Sequence, residues 1–421
     1  MIPGLNKTTL DNGIRIITHR MPHVRSVSMG VWVNVGARDE MSDESGLCHF
    51  IEHMIFKGTR KRSAFQIAKE FDAIGGQTNA FTAMETTCYH ARVIDAHLDT
   101  MVDILSDIFL NSVFAPEEVE RERPVIIQEI GMVEDNPEEF IHILTGRTYW
   151  GEHALGRSIL GPRENVSRFD AEKIKEFFRH LYQPDRIVIA VSGNIEHDPF
   201  VDLVGTAFES IPPGNGLPER HAPHSISGVT VFGRDIEQVH VCLAAPGLSI
   251  TDPRRYAYSL INTILGGNMS SRLFQEIREK RSLAYAVYAF MSSYVDAGMF
   301  GVYAGVDPQQ APAAVELMLK ELGRLKAEAV APSELGDAKE FLKGSLLLAC
   351  ESVDNQMVRL AQNELHFDRY IPLQEVVDRI EQITADDITD LARDLFRTDR
   401  LALTLLGPVA DDTSLSDMLK V

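Results

Sequence analysis

His49-Phe50-Ile51-Glu52-His53 sets two imidazoles four residues apart with a carboxylate between them. On a helix, positions i and i+4 share a face, so both imidazoles could reach one metal ion. Glu52 follows His49 by three positions and directly precedes His53. Its carboxylate turns toward the same side, where it could take a proton from a water held by the metal. The order is inverted relative to His-Glu-x-x-His, and inverted motifs of this kind also bind catalytic zinc. The chemistry implied is peptide-bond hydrolysis. A motif this short has a plain alternative, a helix with two polar positions that are both His.

A catalytic zinc takes three protein ligands and keeps one position open, so a third ligand must lie downstream. Residues 116–133 read as a helix. Pro116 suits a first turn, acids crowd the N-terminal end, and apolar residues follow at helical spacing. Pro124 interrupts the pattern and predicts a kink or a nearby turn. Glu122 and Glu129 fall on one face of this helix. Glu129 sits among Val125, Ile126, Ile127, Ile130 and Val133, a stripe that reads as buried. A carboxylate there is costly unless it is paired or metal-bound. An exposed place at the border of the stripe is the alternative.

The chain resembles the inverted-motif zinc metallopeptidases that include pitrilysin, insulin-degrading enzyme and the mitochondrial processing peptidase. It is nearest to the bacterial branch similar to the processing peptidase beta subunit. The resemblance runs through Asp11-Asn12-Gly13, the Gly46–Met54 segment, Phe56-Lys57-Gly58-Thr59 and Asn79-Ala80-Phe81-Thr82. It continues through Glu122 and Glu129, Leu155-Gly156-Arg157, Ile159-Leu160-Gly161, Tyr182-Gln183-Pro184-Asp185 and Gly193-Asn194. Leu265-Gly266-Gly267 and Ser271-Arg272-Leu273 complete it. Glu129 stands 76 residues after His53, the spacing of this family's third ligand. The resemblance thus implies one zinc per chain on His49, His53 and Glu129. Glu52 becomes the general base, and Glu122 a carboxylate that orients a ligand without binding the metal.

A chain of 421 residues has room for two or more domains. No apolar run reaches the roughly 20 residues of a membrane span. The first residues show neither a secretion-signal layout nor an Arg-rich leader, so a cytoplasmic, bacterial protein is expected, with a mature organellar form as the alternative. Cys48, Cys88, Cys242 and Cys350 are scattered without a C-x-x-C pair and read as reduced, buried residues. The net charge of −20 disfavours nucleic acid and is compatible with basic peptides.

Residues 211–225 are rich in Pro and Gly and read as a linker between domains 1–210 and 226–421. The two parts echo each other. A strand-like run at 26–35, the His-pair helix and a helix at 64–74 are answered by a strand at 238–245 and helices at 256–265 and 271–279. Gly75-Gly76 is echoed by Gly266-Gly267. The fold expected is α+β, two duplicated units, each a mainly antiparallel sheet packed with helices. The second unit lacks the metal motif. His240, between Val239 and Val241, reads as a structural strand residue.

The resemblance places Asn79, Ala80, Phe81 and Thr82 on a sheet edge beside the zinc, where an extended peptide could add as a further strand. It makes Arg278 and Tyr285 donors to substrate carbonyls and to the oxyanion. Longer relatives enclose a chamber with four such units. This chain has two, so a homodimer is expected, with Arg278 and Tyr285 supplied in trans. The mitochondrial enzyme reads a basic substrate residue with two acids. Glu139 matches the first, but the second falls on Ile143, with His142 beside it. The activity expected is zinc-dependent endopeptidase action on unfolded or extended peptides. A noncatalytic assembly subunit, or a peptidase active only with a second subunit, is the alternative.

Overall fold

The computed structural model describes residues 4–208, 211–212, 214, 216, 219–409 and 414–421. Residues 1–3, 209–210, 213, 215 and 217–218, which belong to the expected first domain and linker, lie outside the described residues. Alternating and fully apolar runs form eleven strands among the described residues. They are β1 (Leu5–Thr9), β2 (Arg15–Arg20), β3 (Ser26–Val33), β4 (Gln77–Thr82), β5 (Thr87–Ile94), β6 (Ile187–Gly193), β7 (Gly228–Gly233), β8 (Val239–Pro246), β9 (Ala284–Ser293), β10 (Gly298–Val306) and β11 (Ala402–Gly407).

They build two sheets, ordered β1-β2-β6-β3-β5-β4 and β7-β11-β8-β10-β9. In the first, only β2 and β6 run parallel; in the second, only β7 and β11. Strands β2-β6-β3-β5-β4 and β7-β11-β8-β10-β9 therefore repeat one topology. The fold is α+β with duplicated units. No helix among the described residues is long and apolar enough to cross a membrane.

The chain forms two compact units, each discontinuous. One comprises Met1–Gly131, Arg157–Arg220 and Leu348–Ile371; the other comprises Met132–Gly156, His221–Leu347 and Pro372–Val421. The expected boundary at 211–225 is thus crossed by two helices. Helix Val353–Phe367 belongs to the first unit, where Met357, Leu360 and Ala361 pack on Ile17, Trp32, Cys88, Val188 and Ala190. The Trp32 indole N–H donates to Met357 Sδ at 3.2 Å. Helix Pro137–Trp150 belongs to the second, where Ile141 and Leu144 pack on Cys242, Tyr303 and Leu406. Each sheet has apolar residues on both faces, so each needs a cover on both.

The helix Pro116–Asp135 runs through Pro124 without interruption. Pro124 is exposed, so the carbonyl it frees can be met by solvent. Val125, expected in the buried stripe, is exposed instead, while Ile126 and Ile130 are buried. The expected helix at 271–279 ends in a π-helical turn, Phe274–Glu279.

The His-pair helix, Leu47–Met54, has only eight residues, too few to be stable alone. Leu47, Phe50, Ile51 and Met54 are buried beneath it, each contributing roughly 1.5–3 kcal/mol of transfer free energy. Gly46 precedes it at φ +104°, and a Cβ there would meet the Leu160 carbonyl at 2.8 Å. With glycine at the cap, no local side chain serves the first amides. Glu40 does so from a distance. Its carboxylate accepts from the Gly46 N–H at 2.9 Å and the Cys48 N–H at 2.7 Å. Burial pushes its pKa up to about 8, against the pull of these two donors. Above about pH 8, where Glu40 is ionised, Glu40→Gln turns one acceptor into a donor facing an N–H. It is expected to destabilise the protein by about 1–3 kcal/mol, read as a lowered melting temperature. An unchanged melting temperature would remove Glu40 as the anchor of this helix.

Candidate metal centre

The helix directs His49 and His53 to one side, with ring centroids 4.7 Å apart. Glu129, from helix Pro116–Asp135, meets them there. Its Oε2 lies 3.6 Å from His49 Nε2 and 3.4 Å from His53 Nε2. Ligand atoms of all three residues fall within 4.8 Å of one another, a group that could hold a metal ion. A tetrahedral ion with ligands at about 2.1 Å places neighbouring ligand atoms about 3.4 Å apart, so the donor set fits zinc in type and spacing. The imidazoles hold the Glu129 carboxyl below the usual carboxylate range, His49 most strongly.

Glu122 is buried and has both oxygens engaged. Oε1 lies 2.9 Å from His53 Nδ1, and Oε2 accepts from Lys57 Nζ at 2.6 Å. Burial pushes its pKa up, but Lys57 and then His53 outweigh that and hold it below the usual range. A carboxylate on the far nitrogen of a metal-binding imidazole fixes tautomer and ring orientation. His49 Nδ1, by contrast, is buried with no hydrogen-bond partner among the described residues. Its ring is held by packing.

Glu52 is half-buried on the same helix, and its Oε2 accepts a 2.7 Å hydrogen bond from the Thr82 hydroxyl. Thr82 ends β4, which is the edge strand of its sheet. Asn79 Oδ1 accepts from the Ala80 N–H at 2.9 Å. Ala80 is buried, and Phe81 packs edge-on against Trp32 at 5.4 Å.

In the second unit, Arg278 lies in the π-helical turn and Tyr285 near the start of β9. The Arg278 guanidinium carbon sits 4.7 Å over the Tyr285 ring and 4.8 Å over Phe274. Tyr285 is 79% exposed. Ser282 turns the chain between them at φ +53°. Glu139 is exposed and accepts from Asn136 at 2.8 Å. His142 pairs with the Tyr288 hydroxyl at 2.8 Å. His240 Nδ1 pairs with the Tyr303 hydroxyl at 2.8 Å, as a structural strand residue should. All four cysteines are free and buried.

Sequence reasoning missed three contributors, Glu40, Lys57 and the bond from Thr82 to Glu52. Lys57 had a signal, since it stands four residues after His53. Glu40 had none, because turns separate it from the helix it serves.

Residues 15–163 match the model of the insulinase family, peptidase family M16. Residues 168–342 match a model described as the peptidase M16 inactive domain. A protein named as an uncharacterized zinc protease in Streptomyces coelicolor is 41% identical over 418 residues, covering 97% of this chain and 91% of its own. The zinc protease YmxG of Bacillus subtilis, likewise named uncharacterized, is 39% identical over 404 residues, covering 96% and 98%. Among solved structures, a Helicobacter pylori protease superposes with a TM-score of 0.91 at 21% identity, covering 97% of this chain and 100% of its own. A peptidase M16 inactive domain from Pseudomonas fluorescens gives 0.90 at 18% identity, covering 96% and 98%. These two share the fold. The zinc proteases share sequence along nearly the whole length, and with both halves matched by its models the chain belongs to the M16 family of peptidases, the insulinase family.

Proposed function

We propose that this protein is a zinc-dependent endopeptidase acting on unfolded or extended peptides. The observation that carries the reading is the convergence of His49 Nε2, His53 Nε2 and Glu129 Oε2, with Glu52 on the same helix. His49, His53 and Glu129 would hold one zinc per chain. The bound ion would polarise the scissile carbonyl and acidify the attacking water. Glu52, with Oε2 bonded to Thr82, takes the water's proton and passes it to the leaving amine. Glu122, backed by Lys57, keeps His53 turned to the ion. The β4 edge around Asn79, Ala80, Phe81 and Thr82 offers backbone groups to an extended substrate.

Arg278 and Tyr285 donate to substrate carbonyls and to the oxyanion, from the partner chain of a homodimer. Their adjacency and exposure support a shared role. The net charge of −20 favours basic peptides. Glu139 contributes to that preference, with Ile143 where the mitochondrial enzyme has its second acid. The match of residues 168–342 to a model described as inactive favours a noncatalytic subunit, or a peptidase needing a second subunit, as the second reading. The proposed zinc residues all lie in the other matched segment, 15–163.

Zinc-loaded protein is expected to cleave unstructured peptides. Glu52→Gln should retain its zinc and lose at least about 100-fold in turnover. Near-native cleavage by that variant would sink the base assignment, and wild-type protein that neither binds zinc nor cleaves would favour the noncatalytic reading. Lys57→Met should weaken zinc affinity about 10-fold in chelator competition. Unchanged affinity would mean that Glu122 holds His53 unaided. Mixing Glu52→Gln with Arg278→Ala chains should restore cleavage that neither has alone. Mixed dimers that stay silent would exclude supply in trans.

A further inference from the structure

We infer that Thr82 is a positioning residue for Glu52, and that it ties the orientation of this base to the strand edge offered to substrate. The inference rests on the reading of Glu52 as the base. Side chains alternate along β4: Gln77, Asn79 and Phe81 are exposed, while Thr78, Ala80 and Thr82 are more enclosed. Thr82 thus turns toward the His-pair helix, away from the face that carries Asn79 and Phe81. Its hydroxyl has one proton to give. The Glu52 Oε2 at 2.7 Å outcompetes the Cys48 carbonyl at 3.4 Å, and the acceptor carries charge.

A glutamate has three rotatable bonds, and a half-buried one sweeps several positions unless it is held. Threonine suits the task because its β-branch stiffens χ1. With Oε2 bonded to Thr82, Oε1 is the oxygen left for the water. β4 is paired on one side alone, through β5, with Thr82 opposite Thr87. A peptide that adds to the open side orders the strand whose last residue orients the base. Substrate docking and proton transfer therefore share one side chain. The hydroxyl is spent on Glu52 and is not offered to substrate.

The test compares Thr82→Val, Thr82→Ser and Glu52→Gln in the zinc-loaded protein, with an unstructured peptide as substrate. Melting temperature and zinc affinity by chelator competition serve as controls. Thr82→Val should lower kcat about 10- to 100-fold with KM within about twofold and zinc affinity unchanged. Thr82→Ser, which keeps the hydroxyl, should recover most of the loss and secures the test if the valine variant folds poorly. A raised KM with kcat intact would make Thr82 a substrate contact and overturn the inference. So would wild-type kinetics in Thr82→Val while Glu52→Gln is inactive. Activity in Glu52→Gln would instead overturn the base assignment beneath it.

Discussion

The constraint on which this structure depends is the shortness of the Leu47–Met54 helix. Eight residues cannot sustain a helix in water, yet this one carries both imidazoles and Glu52. Every property of the centre must be imposed from outside. Leu47, Phe50, Ile51 and Met54 fix its depth in the core. Glu40 fixes its start, and the close approach of Gly46 and Gly161 lets the chain enter it. Glu122 and Thr82 then fix two of its functional side chains. These supports come from four separate stretches of chain, around Glu40, Thr82, Glu122 and Gly161, so the precision of the centre is a tertiary property.

Three glutamates meet at this centre, Glu52 on the helix and Glu122 and Glu129 beside it, and what bonds to each oxygen separates them. Glu122 has both oxygens engaged, one by His53 Nδ1 and the other by Lys57. Glu129 turns one oxygen to both Nε2 atoms. Glu52 has one oxygen held by a neutral hydroxyl. Glu122 thus faces a full positive charge across 2.6 Å, which suits a permanent anion. Glu52 meets a neutral donor, which suits the base role proposed for it.

Much of this was legible because it is periodic or local. The His pair stands out by its helical spacing, whereas Glu129 was singled out by the family resemblance and its 76-residue distance from His53, since the apolar stripe alone left an exposed edge glutamate as the alternative. The duplicated topology was visible in the recurrence of strand and helix patterns. What failed to show was long-range or side-chain specific. Pro124 reads as a break, yet it lies on an exposed face where the helix tolerates it. Val125 reads as core by type and is exposed. Arg278 and Tyr285 lie on a turn and a strand, and only the π-helical winding and the reversal at Ser282 stack them. Helix Val353–Phe367 carries an ordinary amphipathic pattern that says nothing of which sheet it covers.

That exchanged helix sets the timing of synthesis. The last strand of the first sheet ends at Gly193, but the helix that covers Trp32, Val188 and Ala190 begins at Val353. At about 5–20 residues per second, the gap lasts on the order of ten seconds or more. Throughout it the nascent chain presents a bare apolar sheet face. The second sheet never waits, because Pro137–Trp150 is already made when its strands emerge. The first unit is begun early and finished late, so its nascent chain is the one exposed to chaperones and to aggregation.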